Sequence, residues 1–339
     1  MKNKKWISLA AVVLAVTALP MGVFAAKKDS TEEKLTKVTL NEVAHSIFYA
    51  PQYVAIEEGY FAEKGLDLTL VTGFGADKTM TAVISGEADI GFMGAEASVY
   101  AYQEGATDPV VNFAQLTQRA GNFLVAREEM PDFKWEDLKG EKVLGGRKGG
   151  MPEMVFEYIL KKNGIDPQKD LTIDQSIDFG STAAAFTSDD SAAYTVEFEP
   201  SATILEKEGA GYVVASLGEA SGYVPYTSYS TKASYMKENP EIIQKFTDAL
   251  QKGMDYVQNH TPEEIAEVIA PQFKETDLET ITAIVKRYYD QDTWKENLIF
   301  EKDSFELLQD ILEDAGELTD RTAYENLVQT EYAQKACKN

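Results

Sequence analysis

The stretch His45–Val71, HSIFYAPQYVAIEEGYFAEKGLDLTLV, joins a helix pattern to a strand pattern. Its first half, from Phe48 to Glu58, predicts a helix that Gly59 ends, since glycine readily adopts the left-handed conformation found after many helices. In its second half, leucines alternate with polar residues across 66–70, which is the period of a strand with one apolar face. The stretch therefore predicts one helix–strand unit of an α/β fold.

The same alternation continues on both sides of this stretch. A strand is expected at Val38 and Leu40, and seven further strand patterns follow: ADIGFMG, PVVNFAQLT, NFLVARE, KVLGG, DLTIDQS, AAYTVEF and GYVVAS. Strands that alternate with helices favour a mostly parallel sheet covered on both faces. After Thr231 the patterns are helical only, as in PEIIQKFTDALQKGMDYV (240–257), whose apolar residues recur at near-helical spacing.

The alternation occurs in two blocks, and 339 residues give room for about two domains. The segments between the blocks are extended patterns rather than tracts rich in glycine and serine. We therefore predict two α/β lobes that face each other, with the C-terminal helices returning to the first lobe. The predicted limits are 37–122 plus 228–335 for the first lobe and 123–227 for the second.

The charge balance excludes two classes of partner. The chain has 56 acidic residues against 32 lysines and arginines, and its formal net charge is -24. Nucleic acids and anionic membranes both require clustered cations. We therefore expect no nucleic-acid partner and no binding to an anionic membrane surface.

The N-terminus has the pattern of an export signal. A basic start at Lys2, Lys4 and Lys5 precedes a short apolar run, and Val23–Phe24–Ala25 supplies small residues at the spacing of a cleavage site. We predict a signal peptide over 1–25, a flexible leader over 26–36, and a soluble protein in the periplasm or elsewhere outside the cytoplasm. No cysteine follows the signal for lipid attachment. The single cysteine, Cys337, also excludes an intrachain disulfide.

Five connections between strands and helices are candidates for contact with a ligand. In an open α/β sheet, ligands bind beyond the C-terminal ends of the strands, where helix N-termini offer unpaired N–H groups and small residues allow close approach. One example is GRKGGMPEM (146–154), in which Pro152 favours a helix start and Glu153 suits the positive end of its dipole. The five connections are Gly73–Phe74–Gly75, Met93–Gly94–Ala95–Glu96, Gly149–Gly150–Met151, Phe179–Gly180–Ser181–Thr182 and Glu197–Phe198–Glu199–Pro200.

The side chains near these connections suggest an aromatic ligand. Flat faces are available from Phe48, Tyr49, Phe74, Phe179 and Tyr226, although core packing is the favoured role for each residue taken singly. Carboxylates at Glu96 and Glu199 can accept hydrogen bonds from ring or amino N–H groups, and Glu199 can equally cap a helix. Arg147 and Lys148 can bind an anionic group or remain solvated. His45 follows the first strand, where a ligand contact and a structural role are both open.

Catalytic patterns are absent from the sequence. There are two histidines, His45 and His260, and neither HExxH, CxxC nor GxSxG occurs. No group of histidines and cysteines has the spacing of a metal site. We therefore predict no catalytic residue, no metal ion and no cofactor.

Four stretches together resemble the solute-binding proteins of ABC importers: HSIFYAPQYVAIEEGYFAEKGLDLTLV, GEADIGFMGAEAS, LKGEKVLGGRKGGMPEM and VEFEPSA. The chain is most similar to the branch that resembles thiamine-pyrimidine synthases, which includes binding proteins for formylaminopyrimidine and for riboflavin. Other relatives bind alkanesulfonates, taurine and nitrate. The resemblance covers about residues 35–336.

The resemblance implies a periplasmic-binding-protein-like fold of type II. Its two α/β lobes are joined by two crossing strands, close around a ligand in the cleft between them, and dock on a membrane permease as a monomer. Glu199 matches an acid before proline in this branch, which would suit an aminopyrimidine and repel a sulfonate. The enzymes of the family have a cysteine-rich iron-binding motif, which this sequence lacks, so a synthase is disfavoured.

The function expected from these observations is capture of a small aromatic heterocycle, a thiamine-precursor pyrimidine or similar, for an ABC importer. Riboflavin or a small anion is the alternative ligand. The predicted ligand-binding residues are His45, Phe48, Tyr49, Phe74, Gly94, Ala95, Glu96, Gly149, Gly150, Met151, Phe179, Thr182, Glu199 and Tyr226.

Overall fold

The computed structural model describes residues 34–177 and 179–338, and of Phe179 it describes the backbone alone. The predicted signal peptide, 1–25, lies outside the described residues, as does the predicted leader up to residue 33. The first strand begins at Thr36, the last residue of that predicted leader.

Ten strands form two five-stranded sheets. The first sheet has the order β2-β1-β3-β10-β4 and the second has the order β7-β6-β8-β5-β9. The strands are β1 (Thr36–Glu42), β2 (Leu66–Thr72), β3 (Ile90–Gly94), β4 (Val110–Thr117), β5 (Asn122–Ala126), β6 (Lys142–Leu144), β7 (Thr172–Asp174), β8 (Tyr194–Phe198), β9 (Tyr212–Ser216) and β10 (Thr227–Lys232).

Each sheet contains one strand that runs against its neighbours. In the first sheet β1 is parallel to β2 and β3, whereas β10 is antiparallel to β3 and β4. In the second sheet β6 is parallel to β7 and β8, whereas β5 is antiparallel to β8 and β9. Each of these antiparallel strands is the first one after the chain has crossed between sheets. The two lobes are thus joined by two crossings, as the fold prediction required.

Fifteen helices among the described residues surround the sheets. They are α1 (Ala50–Glu57), α2 (Tyr60–Glu63), α3 (Ala76–Ser85), α4 (Glu96–Gln103), α5 (Met151–Lys162), α6 (Phe179–Ser188), α7 (Ser201–Lys207), α8 (Leu217–Ser221), α9 (Ala233–Glu238), α10 (Pro240–Asn259), α11 (Pro262–Ile269), α12 (Leu278–Asp290), α13 (Lys302–Asp314), α14 (Tyr324–Leu327) and α15 (Glu331–Ala336). Short 3-10 helices cover Ile47–Tyr49, Trp135–Leu138 and Ala270–Gln272.

Two strands of the first sheet, the central β3 and the edge strand β4, are covered on both faces. Every residue of β3 and of β4 is buried, which is the pattern of strands with helices above and below. The outer strand β2 instead alternates, with its leucines on the covered face, as predicted from the sequence.

The two crossings lie side by side and are tied to the C-terminal helices. The N–H of Val224 on the second crossing donates to the carbonyl of Gln118 on the first, at 2.8 Å. The hydroxyl of Tyr288 on α12 donates to the carbonyl of Gly121, also at 2.8 Å. These bonds fix the path of the chain at the point where it passes from one sheet to the other.

The C-terminal helices pack on the first lobe and also reach the second. Helix α10 lies against α1 so closely that a Cβ at Gly253 would be 2.3 Å from the carbonyl oxygen of Pro51. Helix α12 reaches the second lobe through Arg287, and α13 does so through Asp314, whose carboxylate lies 2.9 Å from the ammonium of Lys161 on α5. The lobe limits remain a prediction, but the two sheets and these contacts define which residues can face each other.

Candidate ligand-binding site

Three of the predicted aromatic residues meet where the two lobes face each other. The ring of Phe48 lies 5.0 Å from that of Tyr49 and 5.7 Å from that of Tyr226, between ring centres. The Phe48 ring is also 6.2 Å from Phe198, at the end of β8 in the second lobe. Phe48, Tyr49 and Tyr226 are all buried. We call Phe48, Tyr49 and Tyr226 the aromatic cluster.

Local hydrogen bonds and one glycine set the position of Phe48. The hydroxyl of Ser46 accepts a bond from the N–H of Phe48, at 3.3 Å, which caps the short 3-10 helix. The same hydroxyl donates to the carbonyl of Glu199 in the second lobe, at 3.2 Å. A Cβ at Gly121 would lie 2.6 Å from the Phe48 ring, so the first crossing must pass this ring as bare backbone.

Glu96 brings a buried carboxylate to the aromatic cluster. It begins α4 directly after β3, and its side chain lies over Gly94, where a Cβ would be 2.1 Å from Oε2. Ala95, between them, is also buried. Thr227, which follows Tyr226, pairs with Gly94, so Glu96 and Tyr226 lie at the same end of β3. After the larger effect of burial, the charge of Glu96 contributes to the raised pKa of the Tyr49 and Tyr226 hydroxyls.

Burial raises the pKa of the Glu96 carboxyl to about 7. The backbone N–H groups of Glu96 and Met151 and the charge of Arg147 act in the opposite direction and do not offset it. Oε2 of Glu96 has no hydrogen-bond partner among the described residues. The site therefore holds an acceptor that is removed from water and unpaired.

The loop before α5 places the second lobe against the first. The carbonyl of Gly149 accepts a hydrogen bond from the Tyr100 hydroxyl on α4, at 3.1 Å, and its N–H donates to the Glu153 carboxylate at 3.2 Å. Gly149 has a φ of +77°, a conformation that favours glycine. Gly150 precedes the helix in an extended conformation, and Met151, the first helical residue, is buried. The loop thus faces the first lobe.

The cations of this loop are paired with carboxylates. Arg147 lies 3.9 Å from Asp77, and Lys148 lies 3.5 Å from Glu317, with more than half of each cationic side chain exposed. These are the contacts of partly solvated surface cations.

Asn122 belongs to the site although it was not among the predicted residues. It is the first residue of β5, it is fully buried, and its side-chain oxygen accepts a bond from the Tyr226 hydroxyl at 3.5 Å. Its Nδ2 has no hydrogen-bond partner among the described residues. The sequence signal that could have found it is the position itself, since Asn122 directly follows the glycine of the first crossing.

Glu199 has partners for both of its carboxylate oxygens. Oε2 accepts from the N–H of Thr203 at 3.0 Å, and Oε1 accepts from the Thr203 hydroxyl at 3.0 Å and from Arg287 at 2.6 Å. Burial raises the pKa of Glu199, and Arg287 and Thr203 oppose that shift. Of the two roles left open by the sequence, this geometry is that of the cap: Glu199 holds the start of α7.

Thr182 contacts a second buried acid, Glu197. The Thr195 hydroxyl donates to Oε1 of Glu197 at 2.6 Å, and a hydrogen bond from Thr182 also lowers the pKa of this carboxyl. Burial has the larger effect and raises that pKa to about 7. Thr182, in the first turn of α6, is thereby joined to β8 of the second lobe.

Two predicted residues lie apart from the aromatic cluster. The side chain of Phe74 is 76% exposed, and its φ is 57°. The ring of His45 is bound on both sides, with Nδ1 2.8 Å from Glu42 and Nε2 3.0 Å from the carbonyl of Gln272. The bond to Glu42 raises the His45 pKa more than burial lowers it. The side chain of Phe179 lies outside the described part of the chain.

Two open cavities in the described residues lie elsewhere. One of about 570 Å³ is lined by Gln118, Tyr223, Asp255, Gln258, Asn259, Asp292 and Glu296. Another of about 360 Å³ is lined by Phe123, Ser216, Glu219, Ala283, Lys286, Arg287, Asp290 and Gln291. Neither contains a predicted site residue. Within residues 34–177 and 179–338 there is no group of three or more histidines, cysteines or acids that could hold a metal ion.

Comparison with known proteins places the chain in a family. Residues 47–265 match the family described as NMT1/THI5 like. The chain belongs to this family. It is 45% identical over 331 residues to the protein named "Putative binding protein YtlA" from Bacillus subtilis, with 98% of each chain covered. It is 25% identical over 236 residues to the riboflavin-binding protein RibY from Chloroflexus aurantiacus, covering 68% of this chain and 65% of RibY.

The fold matches solved structures of periplasmic binding proteins. The periplasmic nitrate-binding protein NrtA from Synechocystis superposes with a TM-score of 0.75 at 16% identity, covering 90% of this chain and 89% of NrtA. This likeness confirms the predicted two-lobed fold. Among the described residues no helix is long and apolar enough to cross a membrane.

Proposed function

We propose that this protein is the extracytoplasmic solute-binding component of an ABC importer. It captures a small aromatic heterocycle, a thiamine-precursor pyrimidine or similar, between its two lobes and delivers it to a membrane permease. The relatives support the binding role, since one is named as a binding protein and another as a riboflavin-binding protein. The chain's own residues support the ligand class.

The observation that carries the proposal is Oε2 of Glu96, a buried carboxylate oxygen with no hydrogen-bond partner among the described residues, at the end of β3 near the aromatic cluster. Flat rings at this place supply faces for a planar ligand, and such contacts contribute about 0.5–1.5 kcal/mol each beyond burial. A carboxylate accepts hydrogen bonds from amino or ring N–H groups. The role expected of Glu199 from the sequence is thus proposed for Glu96, because the oxygens of Glu199 already have partners.

A small anion suits this site poorly. The nearest buried carboxylate, Glu96, would repel a sulfonate or nitrate, and the cations of the glycine loop are paired with Asp77 and Glu317 at the surface. Riboflavin remains the stronger alternative, because its ring system is planar and RibY is a relative.

Calorimetric titration of the purified protein tests the proposal. The panel is formylaminopyrimidine, hydroxymethylpyrimidine, thiamine and riboflavin, with taurine and nitrate as the anions. We expect binding of at least one heterocycle and no heat with either anion. Binding of taurine or nitrate with no response to any heterocycle would reject the ligand class. Metal analysis and an assay for iron-dependent turnover test the remaining alternative, a pyrimidine synthase.

A further inference from the structure

The structure leaves two buried polar atoms of opposite kind, Oε2 of Glu96 and Nδ2 of Asn122, without a hydrogen-bond partner among the described residues. We infer that Glu96 and Asn122 together recognise the edge of a heterocycle that carries an amino group next to a ring nitrogen. This inference rests on the proposed function and specifies the ligand further. It selects aminopyrimidines against oxo-pyrimidines of the same shape.

It is energetically unfavourable to leave the two buried atoms of Glu96 and Asn122 without hydrogen-bond partners. Oε2 of Glu96 and Nδ2 of Asn122 are buried and have no hydrogen-bond partner among the described residues, although nearly all buried polar groups in proteins have one. The other described side chains with such an atom are Gln115, Arg119, Ser230 and Gln244. Asn122 bonds to Tyr226 of the aromatic cluster, and Glu96 lies over Gly94, which pairs with the residue after Tyr226. We therefore expect a ligand held by that cluster to pair both atoms.

The two atoms differ in polarity, since one is an acceptor and the other is a donor. The comparison of pyrimidines is made at pH 8, above the pKa of about 7 to which burial raises Glu96, so that its carboxylate is ionised. An ionised carboxylate oxygen only accepts hydrogen bonds, and an amide nitrogen only donates them. A ligand that satisfies both must present a donor to Glu96 and an acceptor to Asn122. The amino group and adjacent ring nitrogen of an aminopyrimidine have this order. In the oxo analogue a carbonyl would face the carboxylate and a ring N–H would face the amide N–H, so both contacts would be repulsive.

Tyr226 relates the two residues in the fold. Its hydroxyl bonds to Asn122 at 3.5 Å, and the next residue, Thr227, pairs with Gly94, over which the Glu96 carboxylate lies. Gly94 leaves the Glu96 carboxylate folded back over the end of β3, where a Cβ would displace it. The backbone thus holds the acceptor in place before any ligand arrives.

The experiment compares hydroxymethylpyrimidine with its oxo analogue, in which a carbonyl replaces the amino group. Both are titrated into the wild-type protein, Glu96→Gln, Asn122→Ala and the control Glu157→Gln. The control makes the same carboxylate-to-amide change at a buried position of α5 whose partners are Lys161, Gln168 and the carboxyl of Glu153. Thermal melts of every variant show which of them are folded.

We expect the wild type and Glu157→Gln to prefer the amino compound by roughly ten- to hundredfold, the value of a hydrogen bond to a charged group. Glu96→Gln should lose most of this preference, because a glutamine can turn its NH₂ toward a carbonyl. Asn122→Ala should weaken the amino compound by roughly tenfold.

Two outcomes overturn the inference and can be told apart. Equal binding of the two pyrimidines by the wild type, while heterocycles still bind, rejects the edge recognition and leaves the proposed function standing. Binding of taurine or nitrate alone rejects the proposed function and the inference with it. The wild-type comparison needs no variant, so it decides the matter even where Asn122→Ala does not fold.

Discussion

The ionised carboxylate of Glu96 destabilises the folded, ligand-free protein. Its pKa rises from 4.5 to about 7 through burial, and one pKa unit corresponds to about 1.4 kcal/mol. The ionised form therefore costs the ligand-free protein about 3 kcal/mol. A group that is costly for folding and placed beside buried rings has the properties of a binding residue.

The pH dependence of this cost gives a prediction for Glu96→Gln. Between pH 4.5 and about 7 the folded state holds a proton that the unfolded state has released, so the contribution of Glu96 to stability falls as pH rises through this range. We expect the variant to match the wild type near pH 4.5 and to exceed it by about 3 kcal/mol in free energy of unfolding at pH 8. Urea denaturation at both pH values measures this. A variant that is less stable than the wild type at pH 8 would contradict the assigned burial of the charge.

Gly94 gives a second prediction about a single residue. In Gly94→Ala the new Cβ would stand 2.1 Å from Oε2 of Glu96, so the carboxylate must move. We expect heterocycle affinity to fall by roughly tenfold or more, as for loss of a hydrogen bond to a charged group. The control is Gly91→Ala on the same strand, whose Cβ would meet Met93 and Val83 instead. An equal loss of affinity in both variants would mean that general crowding of β3, and not Glu96, is responsible.

Local sequence patterns predicted many of the helices and strands, because their causes are local. Thr261 and Glu264 cap α11 reciprocally, at 2.8 and 3.3 Å, as the TPEE pattern predicts. The antiparallel orientation of β5 and β10 has no such local cause, since it depends on where the chain crosses from one sheet to the other. The short helix α8 was missed because its five residues are too few for a periodic pattern.

The candidate site was only partly predictable, because contacts between distant parts of the chain distinguish its residues. Glu96 and Glu199 look alike in sequence, as acids that follow strands. The difference lies in Arg287, which is 88 residues from Glu199 and pairs with it in the fold. Asn122 follows the glycine of the first crossing, but its burial and its unpaired amide nitrogen depend on contacts with distant residues such as Tyr226.

The pairing between α12 and the second lobe predicts a large effect of Arg287→Met. Glu199 is fully buried, and removing its cation leaves a buried charge unpaired, which typically costs about 3–5 kcal/mol. The same guanidinium also binds Glu206 on α7, at 2.7 Å. We expect a loss of about 3 kcal/mol in free energy of unfolding, measured by chemical denaturation.

The double variant Arg287→Met, Glu199→Gln is the control for this effect. It removes the stranded charge while Thr203 can still donate to the amide oxygen, so it should recover part of the lost stability. Strictly additive losses in the two single variants would show that the two side chains do not act as a pair.

The molecule as a whole has its lobes in contact. Tyr100 bonds to Gly149, Ser46 bonds to Glu199, and Lys161 pairs with Asp314, so three separate places join the first lobe or the C-terminal helices to the second lobe. Between them lie the aromatic cluster, Glu96 and Asn122. The proposed function requires the ligand to be held at this interface between the lobes.

A crystal structure of the complex with hydroxymethylpyrimidine tests that claim most directly. We predict ring density between Tyr49 and Tyr226, with the amino nitrogen about 3 Å from Oε2 of Glu96 and a ring nitrogen facing Asn122. Density at Glu199, or in the surface cavity between Asp255 and Asp292, with none between the lobes at saturating ligand, would contradict the account.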